Sequence, residues 1–486
     1  MTDASVTGTD EPASGPTRRE TLAGLGGAIA ALAGIGGAGS AAAQGAPRPH
    51  ILYILADDLG FADVGFQGSD IATPAIDALA ATGATLSRFY TQPLCTPTRA
   101  ALMTGRYPLR YGLQTGVIPS GARYGLATDE LLLPEALRAA GYRTALVGKW
   151  HLGHADPAFW PRRRGFDSFY GPLVGEIDHF RHEAHGLTDW YRDEALLEEE
   201  GYDTDLFGRE AVSLIEGHDP ATPLFLYLAF TAPHTPYQAP QAWLDRFAHI
   251  DNPSRRAYAG MIGAMDAAIG AVAAALEARG MREDTLIVFH SDNGGTRDAM
   301  FVGEGAVEGE LPPSNDPLRG GKGSLYEGGT RVVALANWPG RIAPGAVEGV
   351  MHVVDMAPTL AALAGASLAG AKPLDGADVW PVLAAGAPGR EAMVYNVEPT
   401  QAAVLAGDWK LHWLPALPPT VELFDLAADP GETVDRSAEH PETVAALQAQ
   451  AVQLAREMAP PLFFGAALGA ALSAPLSTPR PGDASE

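Results

Sequence analysis

A single cysteine, Cys95, stands in the run Gln92-Pro93-Leu94-Cys95-Thr96-Pro97-Thr98-Arg99. One cysteine has no internal disulfide partner, so it is either an inert buried thiol or a chemical centre. The flanking residues favour a centre. Thr96 can cap a helix, Pro97 suits its first position, and Thr98-Arg99-Ala100-Ala101-Leu102-Met103 continues it. A side chain at a helix N-terminus sits among exposed N–H groups and the positive end of the dipole, where anions are favoured.

Four other groups of reactive residues each follow an apolar run: Asp57-Asp58, Lys149-Trp150-His151, Thr231-Ala232-Pro233-His234 and Asp292-Asn293-Gly294-Gly295. Asp57, Asp58, Asp292 and Asn293 offer only oxygen and so suit a hard cation, Ca²⁺ or Mg²⁺, better than zinc. Lys149, His151, His234, Arg99 and Lys322 add cations and donors. Lys322 lies in Arg319-Gly320-Gly321-Lys322-Gly323-Ser324, which is not a Walker loop because Gly323 separates the lysine from Ser324. Singly, each acid, lysine or histidine reads as a solvated or satisfied side chain. Together, at strand ends, they read as a pocket that binds and polarises a tetrahedral oxyanion. His179, His182 and His185 are read as surface or rim residues of a polar insertion at 155–203, since His182-Glu183-Ala184-His185 lacks the helical zinc spacing.

The elements that must position these groups follow from the hydrophobic pattern. From His50 to about Ala366, short apolar runs alternate with helical patterns, the signature of an α/β domain with a largely parallel sheet. Buried strands are predicted at Ile51 to Ala56, Thr144 to Val147, Leu224 to Phe230, Thr285 to Phe289 and Val332 to Ala336, and helices at 75–82, 98–104, 131–140, 204–216, 256–279 and 355–364. In open α/β sheets ligands bind beyond the carboxyl ends of the strands, so the four groups should converge. After 366 the texture changes to short segments between turn residues, which predicts a small antiparallel sheet and one helix near 441–457. The domain reading is an export signal at 1–43, a catalytic domain at 44–370, an antiparallel-sheet subdomain at 371–465 and a poorly ordered tail at 466–486.

Composition narrows the partners. The formal charge of −25, with no long basic run, argues against a nucleic-acid backbone. It does not exclude an anionic small substrate. One cation at ~4 Å contributes ~4 kcal/mol at an effective dielectric of ~20, whereas surface carboxylates beyond ~8 Å are largely screened. Arg18-Arg19 before a Gly/Ala-rich stretch, followed by Ala41-Ala42-Ala43, reads as a twin-arginine export signal and not as a stable membrane anchor. Its removal takes away four acids and two arginines and leaves −23. The expected location is periplasmic or secreted, reached after the protein has folded.

At this point the chain resembles the type I sulfatase family, and within it the arylsulfatase B (N-acetylgalactosamine-4-sulfatase) group. The resemblance is carried by Ala56-Asp57-Asp58-Leu59-Gly60, the Cys95 run, Leu102-Met103-Thr104-Gly105-Arg106, Val147-Gly148-Lys149-Trp150-His151-Leu152-Gly153, Arg163-Arg164-Gly165-Phe166-Asp167, Ser291-Asp292-Asn293-Gly294-Gly295 and Lys372-Pro373-Leu374-Asp375-Gly376. It implies an alkaline-phosphatase-like fold with a large, mostly parallel mixed sheet and a smaller C-terminal antiparallel sheet. It also implies that Cys95 is oxidised to formylglycine by a separate formylglycine-generating enzyme reading Cys-x-Pro-x-Arg, with Thr98 in place of the more common serine. The aldehyde hydrate would attack sulfur, and its second hydroxyl would later expel sulfate from a covalent hemiacetal. By the same resemblance Asp57, Asp58, Asp292, Asn293 and the modified Cys95 bind one Ca²⁺, and Arg99 orients the hydrate. Lys149 and Lys322 hold sulfate, His234 protonates the leaving oxygen and His151 accepts the second hydroxyl proton. The expected substrate is a sulfate ester, in particular sulfated N-acetylgalactosamine in a glycan. Two other readings stay open: a phosphomonoester or phosphonate hydrolase, and a sulfated-glycan binder in which Cys95 remains a thiol.

Overall fold

The structure, a computed structural model, describes residues 48–302, 307, 310–415 and 418–466. The proposed export signal and all but the first residue of the predicted tail lie outside them. The strands that organise the chain are β1 (His50–Ala56), β2 (Ala84–Leu86), β3 (Arg143–Gly148), β4 (Ser168–Gly171), β5 (Tyr191–Arg192), β6 (Ala195–Leu196), β7 (Leu224–Ala229), β8 (Thr285–Ser291), β9 (Ala334–Asn337) and β10 (Gly345–Val347). Among the described residues they form one ten-stranded sheet in the order β10-β2-β9-β8-β1-β7-β3-β4-β5-β6. Its centre, β8-β1-β7-β3-β4, is parallel, while β9 runs antiparallel to β8 and to β2. The fifth predicted strand thus exists two residues later than expected and reverses direction.

Alternation along β1 shows why the central strands read as unbroken apolar runs. Ile51, Tyr53 and Leu55 enter one core, whereas Leu52, Ile54 and Ala56 enter the other. A parallel sheet covered on both faces has no wet side and needs apolar residues at every position. Helices α1 (Pro74–Thr82), α4 (Asp203–Glu216) and α5 (Pro253–Ala278) cover the face of Leu52, and α2 (Cys95–Thr104), α3 (Leu133–Ala139) and α6 (Met356–Ala364) cover the face of Ile51. The stripe Tyr258, Met261, Ile262, Met265, Ile269, Val272 and Leu276 of α5 is fully buried core, as its spacing predicts.

Toward the C-terminus, β11 (Ala392–Tyr395), β12 (Ala402–Ala406), β13 (Trp409–Leu414) and β14 (Thr420–Asp425) form an antiparallel sheet, followed by α7 (Pro441–Ala455). Lys410 of β13 is fully buried and lies 2.9 Å from both Glu327 and Glu432. Glu327 also accepts a hydrogen bond from Tyr90 at 2.9 Å. Because Glu327 closely follows the Lys322 loop, this ionic cluster ties the small sheet to a segment that carries candidate chemistry. Loss of one partner would strand a buried charge, which typically costs about 3–5 kcal/mol.

Candidate active site

The carboxyl ends of β1, β3 and β8, together with the loop after β7, meet at the N-terminus of α2. Backbone bonds knit them together: Asp57 N–H donates to Ala232 O at 3.0 Å, Asp292 N–H to Ala56 O at 3.0 Å and Lys149 N–H to Ala229 O at 2.8 Å. All ten candidate site residues, Asp57, Asp58, Cys95, Arg99, Lys149, His151, His234, Asp292, Asn293 and Lys322, are buried, with Asp57, Cys95, Arg99, Lys149, Asp292 and Asn293 at 1% exposure or less. Asp58 (φ 65°) and His151 (φ 59°) hold left-handed backbone conformations that L-residues rarely adopt. Such strain persists only where surrounding structure over-determines it, and it clusters at functional sites.

Helix α2 begins at Cys95 itself, one of the points where expectation and structure differ. Leu94 is the N-cap and no side chain caps the helix, so Thr96 does not cap and Pro97 is its third residue. The Thr96 hydroxyl is engaged elsewhere, donating to His151 O and accepting from Ile118 N–H, both at 3.1 Å. Thr98 instead closes the approach to the helix through bonds to Gln92 N–H and O at 3.0 Å. The outcome still places Cys95 at the helix N-terminus.

Charge is balanced in pairs. Lys149 donates to Asp57, Lys322 to Asp58 at 2.7 Å and Arg99 to Asp292 at 2.9 Å. Arg99 also donates to Lys149 O at 3.2 Å and approaches Asp57 at 3.6 Å. Burial pushes the Asp58 carboxyl up, but Lys322 and His234 outweigh it and hold the group well below the usual carboxylate range. Asp292 is pushed up to about 6, by burial first and by Asp57 next. Burial also raises the Cys95 thiol far above its ordinary value, reinforced by Asp292. Its Sγ lies 3.4 Å from Asp57 Oδ1 and is a donor, not a thiolate nucleophile.

The two histidines differ in what they can do. His151 Nε2 donates to Ile118 O at 3.1 Å, while its buried Nδ1 has no protein partner. Burial and Lys149 keep this ring neutral, so Nδ1 is an open base. His234 Nδ1 donates to Thr235 O at 2.6 Å, which leaves Nε2 to accept from Lys322 Nζ at 3.0 Å. Burial first and Lys322 next lower His234, so the resting ring is neutral and accepts from the lysine.

A cation fits the oxygen groups. One ligand atom each of Asp57, Asp58, Cys95 and His234 lies within 4.8 Å of the others. Asn293 Nδ2 donates to Asp58 Oδ1 at 2.7 Å, and its Oδ1, buried and without a protein partner, is an acceptor that a cation would satisfy. Since both ring nitrogens of His234 are engaged by Lys322 and Thr235, the donors left are the Asn293 amide oxygen and the further lone pairs of the carboxylates, the set of a hard ion. Thr296, which the sequence reading did not single out, donates to Asp58 Oδ2 at 3.1 Å.

Cys95, His151, His234 and Lys322 open into a cleft of about 950 Å³ that extends to Tyr326 and His412. The expectation that His179 and His182 lie on the surface is corrected: both are 1% exposed. His179 pairs with Asp203, and His182 stacks on Trp190 with ring centroids 4.1 Å apart. Only His185 of the three lines the cleft.

Backbone spacing protects this geometry at Gly148, the last residue of β3. Its φ is +110°, and a Cβ there would overlap Ala229 O, the acceptor of the Lys149 N–H. Gly148→Ala is expected to destabilise the protein by about 2–5 kcal/mol, combining left-handed strain with overpacking. Thermal unfolding should show it; an unchanged midpoint would mean β3 and β7 can separate freely.

A ten-stranded α/β sheet of alkaline-phosphatase-like type, with acids, lysines and histidines converging at its strand ends, defines a site built to bind and polarise a tetrahedral oxyanion. The chain belongs to the sulfatase family, whose model, described as Sulfatase, matches residues 49–366, and is a sulfuric ester hydrolase. It is 34% identical to mouse arylsulfatase J over 477 residues, covering 86% of this chain and 78% of the relative. It is also 34% identical to mouse N-acetylgalactosamine-6-sulfatase over 394 residues, covering 76% and 73%. Among solved structures, Ps i-CgsB in complex with k-i-k-neocarrahexaose superposes with a TM-score of 0.77 at 34% identity, covering 85% of this chain and 94% of the other.

Proposed function

We propose that this sulfatase removes sulfate from a sulfated carbohydrate, an N-acetylgalactosamine 4-sulfate at a chain end being the first candidate. Cys95 is matured to formylglycine by a formylglycine-generating enzyme, and one Ca²⁺ completes the site. The observation that carries this reading is the setting of Cys95: a buried side chain at the start of α2, its Sγ 3.4 Å from Asp57 Oδ1, on which three cations, three carboxylates and two histidines converge. Burial disfavours ionisation of a thiol there, so the surround suits a converted side chain better than the thiol itself. The hydrated aldehyde would supply the nucleophilic oxygen, and a cation held by Asp57, Asp58, Asp292 and Asn293 would neutralise sulfate charge.

The chain's own residues account for the rest. Lys149 and Lys322 hold sulfate oxygens, and Arg99 fixes Asp292 and the base of the pocket. His234, protonated at Nε2 once sulfate draws Lys322 Nζ away, gives that proton to the leaving oxygen and returns to the neutral ring that accepts from Lys322. His151 Nδ1, unpartnered and neutral, takes a hydroxyl proton. The carbohydrate assignment is supported by relatives whose names state N-acetylgalactosamine-6-sulfatase and by a structural neighbour solved with a neocarrahexaose. Arg18-Arg19 supports export to the periplasm or beyond, a route that carries folded, already matured protein.

The test is tandem mass spectrometry of the tryptic peptide from Phe89 to Arg99, made alongside a formylglycine-generating system, with matched aryl sulfate and aryl phosphate assays. An aldehyde at position 95 and a preference for sulfate of about 10²-fold or more are expected. An intact thiol beside a matured control sulfatase, or dominant phosphate turnover, would overturn the reading in favour of a binder or a phosphatase.

A further inference from the structure

Behind His234, a buried charged pair that the reaction does not use grips the loop carrying it. His179 Nδ1 lies 2.8 Å from Asp203 Oδ2, and His179 Nε2 lies 3.1 Å from the carbonyl oxygen of His234. Both partners are acceptors, since neither a carboxylate nor a carbonyl has a proton to give. Both ring nitrogens therefore donate, and His179 is an imidazolium at 1% exposure beside a carboxylate at 0%. Burial alone would strip that proton, and Asp203 reverses the effect.

The same pair holds the loop at further points. Asp203 Oδ2 accepts from Thr231 Oγ1 at 2.5 Å, and Asp203 Oδ1 accepts from Thr204 N–H at 2.5 Å. His179 N–H donates to Gln238 Oε1 at 2.9 Å. Thr231, His234 and Gln238 lie along the segment that leaves β7, so the two charged side chains hold it at Thr231 and His234 while the His179 main chain holds Gln238. A fully desolvated ion pair is an expensive way to hold a loop if packing were the only need.

We infer that His179 and Asp203 are positioning residues for proton delivery to the leaving oxygen, holding the His234 main chain so that Nε2 faces the departing group. The inference rests on the sulfatase reading of His234. Its consequence is selective. A nitrophenolate leaves without help, whereas a poorly acidic phenol or a sugar alcohol must take a proton as its bond to sulfur breaks. Displacement of the donor by a fraction of an ångström should therefore penalise poor leaving groups and spare good ones.

The experiment compares kcat/KM across aryl sulfates, from 4-nitrophenyl to 4-methoxyphenyl sulfate, for the matured wild-type enzyme and for His179→Phe, His179→Gln and Thr231→Val. General acid help is worth about 10²–10⁴-fold, so His179→Phe should lose roughly tenfold or more on 4-methoxyphenyl sulfate beyond its loss on 4-nitrophenyl sulfate. His179→Gln, which keeps an amide donor for the His234 carbonyl, should recover part of that extra loss. Thr231→Val is nearly isosteric and keeps the ion pair, so it carries the test if His179→Phe does not fold; a smaller loss of the same kind is expected. Equal losses across the series in the folded variants would overturn the inference and leave the pair a purely structural one. A wild-type enzyme inert on every aryl sulfate would instead remove the reading of His234 on which the inference stands.

Discussion

A Cys95→Ser enzyme is expected to lose steady-state turnover by a factor on the order of 10³–10⁶, the range seen when a nucleophile is removed from an intact site. The reason lies in oxygen count as much as in nucleophilicity. Serine fills the same space at the start of α2, keeps the Asp57 contact available and leaves every charged neighbour paired, so the fold should be indifferent. Its single hydroxyl can attack sulfur, but it has no second hydroxyl whose deprotonation by His151 could expel sulfate. The variant should therefore release at most one equivalent of alcohol and then stop, with sulfate retained on the peptide from Phe89 to Arg99. Mass spectrometry of that peptide after incubation with substrate reads the outcome. Continued turnover within about tenfold of wild type would mean that the residue at 95 is not the nucleophile.

How much of this was legible in the sequence follows from what each residue answers to. The central strands were legible because burial on both faces forces apolar residues at every position, and the strand ends because Asp57, Lys149, His234 and Asp292 each follow such a run. Helix α5 was legible from a stripe, Tyr258 to Leu276, that stays in phase over about five turns. The cap of α2 was misread because the hydroxyl of Thr96 is drawn to Ile118 and His151, partners 22 and 55 residues away. Nothing local records such a competition. His179 and His182 were misplaced for the same reason: polar residues in a polar insertion look solvated, and only the distant partners Asp203 and Trp190 explain their burial. Asp203, which holds the His234 loop, reads in sequence as an ordinary acid in the first turn of a helix.

Removal of the proposed cation is expected to be nearly as damaging as loss of Cys95, with activity falling about 10³-fold on exhaustive chelation and returning with Ca²⁺ more fully than with Mg²⁺. The acids and lysines of the site explain why. In the charge pairs described here Lys149 is occupied by Asp57 and Lys322 by Asp58, so neither ammonium is free to meet an anion. A divalent cation held by Asp57, Asp58, Asp292 and Asn293 would compete for those same carboxylates, and each lysine so released would be available to a sulfate oxygen. Chelation should therefore raise KM as well as lower kcat, which simple loss of a Lewis acid would not require. It should also lower the unfolding midpoint, because an ion that binds only the native state contributes about 2.7 kcal/mol at a hundred times its Kd. Asp58→Asn provides an internal comparison: it removes one carboxylate ligand and the charged acceptor of Lys322 together, and should weaken Ca²⁺ rescue while costing about 3–5 kcal/mol of stability for the buried ammonium left behind. Full activity in metal-free protein, verified by elemental analysis, would separate the acid cluster from metal binding and leave Lys149 and Lys322 as its only counter-charges beside Arg99.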